Sequence, residues 1–196
     1  MTTAPIVRVT KPSQATVPEH TTRAFEPGQV CLDAEVGDVV LVHGGAAIDK
    51  AIRLFERMRV PAPFCWPNHA AVVLAGGPGA TIIQEGGKGS ALAPLATMVT
   101  QSYTVTHFSP SPEQDVAGLN FLTSTLGTGY GYLSIVADAV NALCGLELGL
   151  GWGNRMVCST QTARYMERIG YIPERSPYAV TPAHLAWALN LTEPKG

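Results

Sequence analysis

An α+β fold follows from three features of the sequence. Its first half holds short β-branched or apolar runs separated by glycine-rich turns, helical patterns dominate after Pro112, and consecutive strands close enough for hairpins argue an antiparallel sheet. The 196 residues suit one domain, at about 150 residues each. Apolar residues make up 46% of the chain, which excludes wholesale disorder. The net charge of −2 lacks the basic excess of a nucleic-acid binder. With 20 glycines and 15 prolines, long loops are expected. We read residues 1–28 as a flexible Pro/Thr-rich arm or an extended segment lying on the domain, 29–192 as a single catalytic domain and 193–196 as a tail.

In chain order, the run VGDVVLV at 36–42 predicts a buried strand after a Gly-Asp turn. Apolar spacings of three and four predict a helix over 46–58, and three prolines make 60–67 a loop. HAAVVL (69–74) and TIIQE (81–85) read as strands of a hairpin around Gly76-Gly77-Pro78-Gly79. Residues 86–94 read as a glycine-bearing loop, and SYTVTHF (102–108) as a further strand. Helices are expected over 112–126, with Glu113 and Asp115 suiting the positive end of the macrodipole, and over 133–143. Another spans 158–169, stopped by Gly170, and the last runs from Thr181-Pro182 to Leu189.

The first 26 residues hold no apolar block of the kind a secretory signal needs. Asp138, Asn141 and Glu147 interrupt the longest apolar stretch, 132–150, so no stable membrane insertion is expected. The chain reads as soluble and cytoplasmic, with signal-independent export left open; nothing in it sets an oligomeric state.

Four cysteines, at 31, 65, 144 and 158, are too few and too far apart for a disulfide scaffold. Cys158 differs from the rest because an extended approach ends there and a helix begins. The positive end of the helix dipole favours a thiolate at that place. Acyl transfer also needs an imidazole to carry the proton and a third group to orient it. His69 opens a strand after the Trp66-Pro67-Asn68 turn, and Glu85 closes the partner strand, where we expect the two as cross-strand neighbours. The residues alone leave plainer roles open: a core thiol, a strand-edge histidine and a solvated glutamate. Cys65 and His69 are four apart, but Pro67 disfavours a helix presenting both to a metal, so neither metal nor cofactor is expected. Residues 86–90 lack the spacing of a phosphate-binding loop.

Taken together, Gly37-Asp38 before its strand, Asn68-His69, Ile82-Ile83-Gln84-Glu85, Tyr130-Gly131-Tyr132 and Val157-Cys158-Ser159 resemble a known family. It is the circularly permuted NlpC/P60 (YiiX/YaeF-like) branch of the papain-like cysteine peptidases and amidases. The histidine-before-cysteine order is the permuted one, and the match spans roughly residues 36–182. The chain departs from the pattern at Gly131, where relatives often carry Asp, and at Thr160-Gln161, where a Glu often sits. The resemblance implies a papain-like small antiparallel sheet packed against helices. It also implies a Cys158–His69–Glu85 hydrolase acting through an acyl-enzyme on a peptide, peptidoglycan-derived or lipid-like amide. Tyr130 would be a supporting residue, and Trp66 and Asn68, beside His69, are candidates for the substrate wall. The alternatives are a lipid acyltransferase or thioesterase on the same fold, or a non-catalytic binding module.

Overall fold

The sheet has six strands: β1 (His20–Phe25), β2 (Val39–His43), β3 (His69–Ala75), β4 (Thr81–Gly86), β5 (Gly89–Pro94) and β6 (Ser102–Phe108). They lie in the order β1-β6-β2-β3-β4-β5, with every pairing antiparallel. Three α-helices accompany them among the described residues: α1 (Pro112–Ser124), α2 (Cys158–Arg168) and α3 (Pro182–Ala188). This computed structural model describes residues 19–44, 53–54, 56–57, 59–86, 89–129, 157–171 and 180–193. Most of the helix expected over 46–58, and all of that over 133–143, lie outside them, as do Tyr130, Cys144 and the 132–150 stretch.

The α+β expectation holds. In β2 every residue from Val39 to Val42 is buried, because the sheet is covered on both faces. Alternate side chains divide between two cores. One face carries Val39, Leu41, Ala70, Val72 and Ile83, packed under Leu122 of α1, Ala163, Tyr165 and Met166 of α2, and Leu185 of α3. The other carries Val40, Val42, Ala71, Val73, Ile82, Tyr103 and Val105, covered by Cys31, Ala34, Leu95 and Met98.

One expectation is narrowed and one corrected. Residues 20–25, inside the expected arm, form β1 along β6 from His20↔Phe108 to Phe25↔Tyr103. The ladder and the stacking of Phe25 on Tyr103, with centroids 4.9 Å apart, hold a segment whose composition looked unstructured. The expected loop at 86–94 contains β5, paired from Thr81↔Pro94 to Gly86↔Gly89. Its Gly, Ser, Ala and Pro are poor strand formers, but an edge strand tolerates Pro94, and pairing to β4 supplies what propensity does not. Gly89 has φ +102°, and a Cβ there would stand 2.1 Å from the Thr128 carbonyl oxygen, so only glycine lets β5 approach residues 127–129 this closely.

The helix ends follow local chemistry. Ser111 caps α1 in a reciprocal box with Gln114. The left-handed Gly170 closes α2, and the Tyr171 N–H donates to the Met166 carbonyl at 2.9 Å. Pro182 starts α3, and the Thr181 N–H donates to His184 Nδ1 at 3.3 Å.

Candidate functional site

Helix α2 runs along β3 and β4 with a defined direction. Near its C-terminal end the Tyr165 hydroxyl donates to the Gly37 carbonyl at 2.9 Å. Toward its N-terminal end Gln161 Nε2 donates to Ser90 Oγ at 2.8 Å, and Ser90 lies opposite Glu85. The N-terminus of α2 is therefore directed to the end of the sheet where β3 begins and β4 finishes. Cys158 is its first residue, a buried free thiol preceded by extended Val157 (φ −110°, ψ 161°). The first helical bond runs from Gln161 N–H to the Val157 carbonyl, so the backbone N–H groups before it have no acceptor within the helix.

His69 stands at the first position of β3, opposite Val42. Its Nε2 bonds Gln84 Oε1 at 2.7 Å. Because an amide oxygen only accepts, this bond puts the ring proton on Nε2 and leaves Nδ1 as the basic nitrogen.

The expected His69–Glu85 pair does not form. Ala71 faces Gln84 and Val72 faces Ile83, so alternation puts Gln84 on the face of His69 and Ala71, and Glu85 on that of Ala70 and Val72. The cause is a register shift between Val73 and Ala75, where β3 carries one more residue than β4. Glu85 thus points under α2, in a buried polar group with Ser90, Thr125 and Gln161, edged by the half-buried Thr128. Burial raises its carboxyl to about 7, against smaller lowering by hydrogen bonds from Thr128 and Ser90.

The structure thus brings His69 to Gln84, and sets Glu85 and Gln161 each beside Ser90. Cys158 comes to the same end of the sheet on the helix that covers Glu85. Trp66 is packed in the helix-side core, with Nε1 donating to the Leu191 carbonyl at 2.8 Å. Asn68 is also buried: its Oδ1 accepts from the Gly44 N–H, and its own N–H donates to the Val42 carbonyl. Both side chains brace the turn before His69. Tyr130 lies outside the described residues.

The remaining thiols in view are set apart by their surroundings. Burial pushes Cys65 up to about 11, helped by the negative charge of Glu56, and burial also raises Cys31. Among the described residues no cluster of three or more His, Cys, Asp or Glu could hold a metal ion. No helix of the described residues is long and apolar enough to cross a membrane.

Sequence reasoning passed over Gln84, Gln161 and the pairing of His107 with Asp38. His107 Nδ1 lies 2.9 Å from Asp38 Oδ1, while Asp38 Oδ2 accepts from the Glu35 N–H at 2.9 Å. The Gly37-Asp38 pair thus anchors a turn far from Cys158. Only the hairpin's parity could have signalled Gln84, and the irregularity in β3 hides it.

Against known proteins, no family model matches the chain, and no curated protein matches it either.

Proposed function

We propose that the protein is a cysteine hydrolase of papain-like, permuted architecture that cleaves an amide bond of a peptide or peptide-like substrate. Cys158 is the nucleophile, His69 the base and Gln84 the orienting residue. The observation that carries this is the His69–Gln84 bond, which fixes the tautomer of a histidine at the end of the sheet where a helix presents its first-residue thiol.

In this reading Cys158 Sγ attacks the carbonyl carbon and the thiol proton passes to His69 Nδ1. N–H groups of the first turn of α2, which have no acceptor within the helix, stabilise the oxyanion. The imidazolium gives its proton to the leaving amine. It then takes one from water, whose hydroxide attacks the thioester, releasing the acid and restoring the thiol. The register directs the His69 ring to the face away from α2, so this reading requires thiol and imidazole to meet around the end of β3 rather than across the sheet.

The test is alkylation by iodoacetamide at neutral pH, mapped by mass spectrometry. Cys158 is expected to react well ahead of Cys31 and Cys65, and His69→Ala to slow it. Equal sluggishness at all thiols would overturn the reading.

A further inference from the structure

The buried polar group between β4, β5 and α2 contains more acceptors than donors. Gln161 Nε2 donates to Ser90 Oγ and to Thr125 Oγ1, both at 2.8 Å. The single hydroxyl proton of Thr125 is already given to the Leu122 carbonyl at 2.6 Å, so its oxygen can only accept from Gln161. That decides which way the Gln161 amide points, and it leaves Gln161 Oε1 buried with no hydrogen-bond partner. Glu85 is in the same position: Oε1 accepts from Thr128 Oγ1 at 3.4 Å, while Oε2 is buried and unpartnered. Both side chains meet Ser90, so the two orphaned oxygens share one enclosed site. Two acceptors without a donor are costly to bury, and one proton removes both deficits.

We propose that protonated Glu85, the form that predominates below neutral pH, donates from Oε2 to Gln161 Oε1, tying the end of β4 to the first turn of α2. Ionisation of Glu85 breaks this tie and sets two bare acceptors against each other beneath that turn. Among the described residues the surroundings offer a carboxylate only the hydroxyls of Thr128 and Ser90 and no positive charge. Facing it are Ala70 and Val72 from β3, Ser90 from β5, Thr125 and Thr128 beyond α1, and the first turn of α2 with Cys158 and Gln161. No charged group on these segments acts on it among the described residues, and the thiol of Cys158 is the one other titratable group in that turn. Burial accordingly raises the Glu85 carboxyl to about 7. On the reading of Cys158 as nucleophile, Glu85 is a positioning residue: neutral, it braces the thiol's helix without setting a negative charge beside a thiolate.

The experiment compares thermal unfolding of the full chain and of Glu85→Gln, which mimics the neutral acid, from about pH 5 to pH 9, bracketing the value of about 7. Relative to the variant, the wild-type folding equilibrium constant is expected to fall as pH rises, by about 75-fold between pH 5 and pH 9 out of the limiting ~300-fold set by the difference between 4.5 and about 7. Curves that run parallel, as they would if a buried water bridged an ionised Glu85 to Gln161, overturn the proposal. The carbon-13 resonances of the wild-type glutamate carboxyls give a second test that needs no variant. One is expected to titrate near 7, and a set that titrates wholly below about 5 overturns the proposal. The two readings fail separately. A glutamate titrating near 7 beside an unreactive Cys158 removes the hydrolase and keeps the proton. A reactive Cys158 with no such titration does the reverse.

Discussion

Gln84 and Glu85 are adjacent on β4, yet they serve opposite faces of the sheet. Gln84 accepts from His69 at 2.7 Å on the face away from the helices. Glu85 is enclosed beneath α2 with an unpartnered oxygen. On the first face the polar side chain is half-buried and oriented by one bond. On the second, burial is so complete that a carboxyl gains more from keeping its proton than from losing it. Residue chemistry alone would give the orienting role to the carboxylate; the pleat gives it to the amide.

The comparison breaks most easily at the thiol. Cys158→Ala is expected to lower turnover of an amide reporter by about a thousandfold or more, with His69→Ala close behind. Activity surviving both would dissolve the link between the two faces.

Next in size is the pH dependence of stability. The folded Glu85 carboxyl lies at about 7 against an ordinary 4.5, so its stabilising contribution is complete below 4.5 and is lost as pH rises through about 7. The loss amounts to about 3 kcal/mol. Calorimetry of Glu85→Gln should show that loss abolished, whereas Gln84→Glu, on the half-buried face, should show no comparable loss.

A smaller effect separates the neighbours directly. Gln84→Ala should lower kcat/KM by roughly tenfold to a hundredfold and displace the pH profile, since the histidine loses its fixed tautomer. If Glu85→Ala shifts that profile and Gln84→Ala does not, the assignment of faces is wrong.

The smallest concerns the packing of α2. A Cβ at Gly118 would stand 2.7 Å from Tyr165 Cε2, so Gly118→Ala should cost about 1–3 kcal/mol, measured by urea unfolding.

Much of the fold was legible because its strongest signals are local. The Val39–Val42 run, the Ser111 cap, the Gly170 stop and Thr181-Pro182 each state their structure within a few residues. Two strands were not legible, since β1 and β5 owe their form to partners: β1 to β6 across 78 to 88 residues, β5 to β4 and to the Thr128 carbonyl against Gly89. In the candidate site, the helix-start thiol at Cys158 and the strand-start His69 followed from local pattern. The partner of His69 did not, because parity must be counted through a turn and across an irregularity.

By itself the sequence determined an α+β chain, a cysteine at a helix start and a histidine at a strand start, since turn chemistry and periodicity act over short spans. Only the tertiary structure decided which face each polar residue of β4 meets. One extra residue in β3 between Val73 and Ala75 displaces the pairing by one position, and with a side-chain period of two that exchanges Glu85 for Gln84 beside His69.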